Sequence, residues 1–287
     1  MTNLNKLIKK HTIMSFFTRF QLCFLVISRF KRAFHQGFFH NFMAFIMKYS
    51  HASLIKSGLY SPEESTRLLL NLSICDELTI PLIKACASNK ADLNALADDG
   101  ESALHYAVRN ERYPILKSLV KFSGDVHTLN SKGLKAIHYA GMVNDPHYVD
   151  FFIDQGVDID DMGDSTKTTL MFASFAGDED IVSHIISLGA DMSIQDLDEH
   201  SLSCLHIAVA GDNPKVVKTL LQMDADPNIS SEDDVTPLHL ACIKEEMDSI
   251  KWLLEYGADK YAYTIIGETA WELSSPKVRK RFPHLKA

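Results

Sequence analysis

With 287 residues and 46% hydrophobic content, the chain has ample material for a core, which excludes a disordered tail. Five cysteines without a CxxC pair or regular spacing offer neither a zinc signature nor a disulfide framework, so a reducing, cytoplasmic setting is expected. The formal charge of −8 conceals two oppositely charged parts. Residues 1–60 hold nine Lys/Arg and no acid, which leaves 29 − 9 = 20 basic residues against all 37 acids beyond them, or about +9 and −17.

The first sixty residues also contain ten of the sixteen Phe. Phe16, Phe20, Phe24 and Ile27 form one stripe at helical spacing, and Phe30, Phe34, Phe38, Phe42 and Phe45 form another, so the segment reads as one or two amphipathic helices with Gly37 as a break. Its longest apolar run, 13–27, is interrupted by Arg19 and Gln21 and falls short of the about 20 residues that cross a bilayer. Three readings stand open. The helices cap the structure that follows, or lie in an anionic membrane interface with basic face to headgroups and aromatics down, or act as a targeting segment similar to a mitochondrial presequence. Phe20, Phe24, Arg29, Arg32, Phe34 and Phe38 would carry the cap or membrane contacts, and Met14 is an alternative start to Met1.

Beyond it, Ser61 with Pro62, Glu63 and Glu64 makes a strong helix N-terminus. A short helix start then recurs in one register, as Ser102-Ala103-Leu104-His105, Lys135-Ala136-Ile137-His138, Thr168-Thr169-Leu170-Met171, Ser203-Cys204-Leu205-His206 and Thr236-Pro237-Leu238-His239. Successive steps are 33, 33, 35 and 33 residues, which means stacked supersecondary units that bury their apolar faces only against their neighbours. In each unit a Ser/Thr-capped first helix is followed by a second carrying an apolar stripe, such as Ile181, Val182, Ile185, Ile186 or Val216, Val217, Leu220, Leu221. Gly156, Gly189 and Gly257 close second helices at the position where a left-handed residue ends a helix. Cys86, Cys204 and Cys242 read as small packing residues.

The third motif is altered: Met171 replaces His, Thr166 replaces the loop Gly, and two extra residues follow, so the stack is expected to bend or loosen there. Degenerate units close both ends, giving boundaries near 61–95, 96–128, 129–161, 162–194, 195–228, 229–261 and 262–282, with a tail at 283–287. The basic terminal stretch Lys277, Arg279, Lys280 and Arg281 suits the last turn of a helix, with a nuclear-localisation patch as the sharper alternative.

This motif, with its period and an Ala two residues after each His or Met, closely resembles the ankyrin repeat, whose helix opens Thr, Pro, Leu, His, any residue, Ala. The resemblance covers about Ser61 to Phe282 and implies an all-α solenoid behind the N-terminal helical extension. It also implies that His105, His138, His206 and His239 bond the backbone of neighbouring loops, and that the chain is a non-enzymatic, monomeric adaptor for a protein partner. No HExxH, glycine-rich phosphate loop, nucleophile motif or deaminase signature is present, so no catalytic, cofactor or metal residue is expected. At about −17 the repeats would repel nucleic acid.

By the same resemblance the partner lies in a concave face made of inner-helix ends and loop tips. The inner-helix positions are Arg109, Asn110, Met142, Val143, Phe175, Ala176, Ile243 and Lys244. The tips are Asp98, Asp99, Glu101, Ser131, Lys132, Asp164, Lys167, Glu199, His200, Glu232, Asp233, Ile265 and Ile266. An apolar centre with acidic surroundings suits a basic, amphipathic partner surface. The alternative is a membrane-associated adaptor anchored by residues 1–60, and an exported bacterial effector acting in a host cell would also fit the weak repeat consensus.

Overall fold

The computed structural model describes residues 51–286 apart from 54, 57, 59, 198 and 199. The candidate cap or membrane residues Phe20, Phe24, Arg29, Arg32, Phe34 and Phe38, and the candidate tip residue Glu199, lie outside the described residues. All elements below belong to the unit Leu54–Ala287.

Helices come in consecutive pairs: α1 (Pro62–Ile74) with α2 (Ile80–Ser88), α3 (Ala103–Arg109) with α4 (Tyr113–Lys121), α5 (Ala136–Ala140) with α6 (Pro146–Asp154), and α7 (Thr169–Ala176) with α8 (Glu179–Ser187). Then follow α9 (Cys204–Ala210) with α10 (Pro214–Gln222), α11 (Pro237–Lys244) with α12 (Met247–Glu255), α13 (Ala270–Leu273) with α14 (Pro276–Arg281), and a 3-10 turn, Pro283–Leu285. The odd-numbered helices pack on one another in sequence as an inner row, and the even-numbered ones back them. Among the described residues there is no strand, only isolated antiparallel bridges at the loop necks, Leu96 with Ser102, Gln195 with Ser203 and Tyr263 with Thr269.

The inner helices start where a hydroxyl satisfies free N–H groups of the first turn. Thr168, Ser203, Thr236 and Thr269 each accept from the N–H three residues on, at 3.4, 3.5, 3.4 and 3.4 Å. The repeat histidine completes the cap from the other side: the N–H of Ser102, Lys135, Ser203 and Thr236 donates to Nδ1 of His105, His138, His206 and His239. With Nδ1 accepting, the proton sits on Nε2, which donates to a carbonyl in the loop that follows, Leu134, Asp161, Val235 and Ala262, at 3.0, 2.9, 2.9 and 3.1 Å. In the unit that begins at α13, Glu272 stands at the histidine position and completes the cap, accepting from Thr269 N–H at 2.8 Å.

The loop tips bond to each other along the stack. Ser131 N–H donates to Gly100 O and Asp164 N–H to Gly133 O, both at 2.9 Å, and Leu197 N–H reaches Thr166 O at 3.3 Å. Glu232 N–H then donates to His200 O and Ile265 N–H to Asp233 O. This close stacking explains the glycines: Gly133 has φ +74°, and a Cβ there would lie 2.7 Å from the backbone carbon of Asp164. Thr166 holds the same left-handed position at φ +69° with a branched side chain.

At the third junction Met171 is buried like the histidines but has no proton to donate. The inner helices α7 and α9 still pack on each other there and the tip bond persists. The lengthened loop closes on itself through Asp196, whose N–H donates to Leu202 O and whose carboxylate accepts Leu202 N–H at 2.8 Å. The core is a continuous file of aliphatic and aromatic side chains between the two rows, including Leu104, Leu116, Ile137, Phe152, Leu170, Ile185, Val217, Leu220 and Leu253, all fully buried.

Candidate binding surface

Residues one and four places after each repeat His or Met lie about one turn apart along the concave side of the inner row, on its helices except for Met142, which sits in the turn after α5. The first series is Tyr106, Tyr139, Phe172, Ile207 and Leu240, and the second is Arg109, Met142, Phe175, Ala210 and Ile243. Met142, Phe175 and Ile243 are 47, 60 and 51% exposed, and Arg109 is exposed beside them, stacked over the Tyr106 ring at 5.8 Å. Large apolar side chains this open, with a well-filled core behind them, are surface rather than core.

Two inner-helix candidates are corrected. Val143 is only 7% exposed: α5 ends at Ala140, and in the turn that follows the Val143 side chain goes into the core. Lys244 is spent within the stack, donating to the Ala210 carbonyl and lying 2.9 Å from Asp212 Oδ1, so it ties α11 to the end of α9. Of the tips, Asp98, Asp99, Lys132, Asp164, Glu232 and Asp233 are exposed. At the last tip Tyr263, Ile265 and Ile266 are exposed and apolar where the earlier tips are mostly charged.

Two stretches of the concave face, one flanked by α3 and α5 and the other by α7 and α9, differ chemically. In the α3–α5 stretch tyrosine hydroxyls meet carboxylates: Tyr106 OH donates to Asp99 Oδ2, and Tyr139 OH donates to Glu101 Oε1 at 2.7 Å. Asn130 Nδ2 donates to both oxygens of the buried Glu101, at 3.2 and 3.1 Å. The Tyr106 hydroxyl holds the Asp99 carboxyl below its usual range, and burial together with these carboxylates pushes both tyrosines upward. This stretch is polar and anionic.

In the α7–α9 stretch the face opens into a cavity of about 300 Å³. Phe172, Phe175, Leu202, Ile207 and Ala210 form its walls, with Met171 beneath, Lys167 and His200 at the rim, and the buried Asp196 carboxylate 3.4 Å from Lys167 Nζ. Its cause is visible in the register: Ala210 holds the position occupied by Phe175 and Ile243 on the neighbouring helices, and its small side chain leaves space between them. Phe172, Leu202, Ile207 and Ala210 were missed by sequence reasoning, though aligning the units and looking for the smallest residue in the second series would have singled out Ala210.

Other reactive groups are accounted for by packing. Burial lowers the pKa of all four repeat histidines, that of His206 to about 4, and raises those of Cys86 to about 11 and of Cys204 and Cys242 to about 12, which makes these thiols inert. Among the described residues no group of three or more His, Cys, Asp or Glu is placed to hold a metal ion, and no helix is long and apolar enough to cross a membrane.

A family model of ankyrin repeats matches in three overlapping copies, over residues 54–162, 104–196 and 170–264. The chain is an ankyrin-repeat protein. Its fold is the all-α ankyrin solenoid, an architecture of protein–protein interaction. Among solved structures it resembles the ankyrin repeat domain of human ASB11 (TM-score 0.66, 18% identity, 76% of this chain and 97% of that one) and that of Bcl-3 (TM-score 0.64, 19% identity, 75% and 97%). Among curated proteins it is 30% identical over 116 residues to human BCL-6 corepressor-like protein 1, covering 40% of this chain. It is 36% identical over 123 residues to the putative ankyrin repeat protein FPV031 of fowlpox virus, covering 39% of this chain, and 33% identical over 85 residues to mouse protein phosphatase 1 regulatory subunit 27, covering 30%. These ankyrin matches span 6, 35 and 55% of the relatives' own lengths.

Proposed function

We propose that the chain is a non-enzymatic adaptor that holds a basic, amphipathic segment of a protein partner in its concave groove. The observation carrying this is the row Met142, Phe175 and Ile243, three exposed large apolar side chains on the concave face, bordered by the acidic tips Asp98, Asp99, Asp164, Glu232 and Asp233. Apolar anchors of this kind supply affinity and the surrounding charge steers encounter. The words corepressor and regulatory subunit in the names of two relatives agree with a protein partner.

The test is affinity capture from cell lysate with the full chain beside a variant carrying Met142→Glu, Phe175→Glu and Ile243→Glu. Proteins retained by the first and lost by the second, with equal circular dichroism, support the groove; the same proteins on both refute it. A second reading rests on the acid-free, Phe-rich residues 1–60 with their nine basic side chains: the adaptor is held at an anionic membrane surface. Co-sedimentation of the full chain with phosphatidylserine vesicles, lost in high salt and on removal of residues 1–50, tests it; no sedimentation at low salt refutes it.

A further inference from the structure

We infer that the cavity between α7 and α9 is the groove's anchor site, taking one large apolar side chain (Phe, Leu, Ile, Met or Trp) from a partner segment whose Lys or Arg residues lie towards the α3–α5 stretch. The inference rests on the groove reading above and deepens it.

Size comes first. About 300 Å³ is at the lower limit of the range of ligand sites, enough for one side chain and too small for a folded element. The walls are apolar from Phe172 and Phe175 on one side to Ile207 on the other, the buried Asp196 carboxylate in the lining is paired with Lys167, and the floor, Met171, is fully buried. An apolar side chain entering here would exchange water for contact on several sides, which is how a few residues come to dominate an interface.

Position in the register makes the cavity specific to this junction. In the series Arg109, Met142, Phe175, Ala210, Ile243 the step from Phe175 to Ala210 places a large side chain beside a minimal one, so the depression is built by a difference between neighbours. Ala210 is therefore the residue that admits or excludes an anchor, although it has little surface of its own to offer.

Polarity follows from the α3–α5 stretch of the groove. Asp98 and Asp99 are exposed there, and the hydroxyl of Tyr106 favours the ionised form of Asp99. Arg109 offsets one of these charges, and the remainder still favours a cation. A segment with its apolar residue in the cavity and its basic residues over Asp98 and Asp99 meets complementary chemistry at both places.

The experiment is selection of a phage-displayed library of random peptides on the full chain, with the affinities of selected peptides measured by fluorescence polarisation on five proteins: wild type, Ala210→Trp, Ala210→Gly, Ile243→Glu and the double variant Asp98→Asn, Asp99→Asn. We expect peptides that share one large apolar residue followed or preceded by Lys or Arg. They should lose about tenfold or more in affinity on Ala210→Trp, which fills the cavity, and keep it on Ala210→Gly, which leaves it open. Asp98→Asn with Asp99→Asn should weaken them severalfold at low salt and hardly at high salt. Equal melting temperatures would show that Ala210→Trp acts by filling rather than unfolding. Peptides that lose affinity on Ile243→Glu and keep it on Ala210→Trp overturn the anchor site and leave the groove reading standing. Failure to enrich any peptide, or peptides insensitive to every variant, overturns both. An Ala210-dependent dimer seen by light scattering would make a second copy the occupant and likewise overturn the proposal.

Discussion

Protonation of His206 sets a pH limit on this fold that can be worked out from one side chain. His206 is fully buried, accepts the Ser203 N–H at Nδ1 and donates through Nε2 to the Val235 carbonyl of the next unit. A second proton would remove the acceptor at Nδ1 and bury a charge, and the desolvation cost moves its pKa from 6.5 to about 4. The folded value lies below the unfolded one, so the contribution is complete above 6.5. It is lost as the pH falls from there towards 4, where the unfolded chain takes up a proton that the folded chain refuses. Integrated from about pH 7 to about pH 5, the loss is about 2 kcal/mol for this residue alone. Urea unfolding followed by circular dichroism, for wild type and His206→Gln at both pH values, isolates it. Wild type should be the more stable at about pH 7, and its advantage should shrink by about 2 kcal/mol at about pH 5. An unchanged advantage would refute the buried, neutral imidazole. His105, His138 and His239 shift in the same direction for the same reason, so the whole chain should lose more than His206 alone accounts for.

Three further outcomes can be measured by thermal or urea unfolding. Gly133→Ala should destabilise by about 2–3 kcal/mol, because it combines a left-handed backbone with a Cβ 2.7 Å from Asp164, whereas Gly156→Ala, at φ +83° with nothing within 4 Å, should cost only about 1 kcal/mol; equal costs would refute the tight stacking of tips. Phe152→Ala should cost about 3–5 kcal/mol, since Phe152 is fully enclosed between the helical rows, and a cost under about 1 kcal/mol would mean the core is not packed there. Burial and the neighbouring Asp212 carboxyl push Glu246 up to about 7, so its charge costs stability as the pH rises above 4.5 and the cost is complete above 7. Glu246→Gln should accordingly stabilise by about 1 kcal/mol at about pH 8 and give no gain near pH 4; destabilisation at both values would refute this.

The fold was legible because its main devices are local or recur at a fixed interval. A Ser or Thr three residues before His already states both halves of an N-cap, and the His that reaches Leu134 or Val235, 29 residues on in each case, does so because each unit repeats the last. What the sequence did not reveal depends on lengths and on side chains that are small. Val143 was misplaced because α5 runs for only five residues, and nothing in the spacing announces so early a stop. Lys244 was counted as a partner contact because its bond to the Ala210 carbonyl crosses from one unit to the previous one. The cavity escaped notice because it is made by what Ala210 lacks, and a search for chemistry along a chain looks for groups that are present.

The methionine at the third junction also changes how two halves of the array are joined. In a linear array each unit is held only by its neighbours, so cohesion is set at every boundary separately. Four histidines bond forward along the array, whereas at the Met171 junction the Asn213 amide at the start of α10 takes that part, its Nδ2 donating to the Ser174 and Phe175 carbonyls of α7 at 3.1 and 2.9 Å. This seam, between the blocks α1–α8 and α9–α14, is therefore held by a side chain reaching back from the later block rather than by an imidazole reaching forward. The seam runs through the cavity, so whatever fills that cavity from outside also fastens the two blocks together.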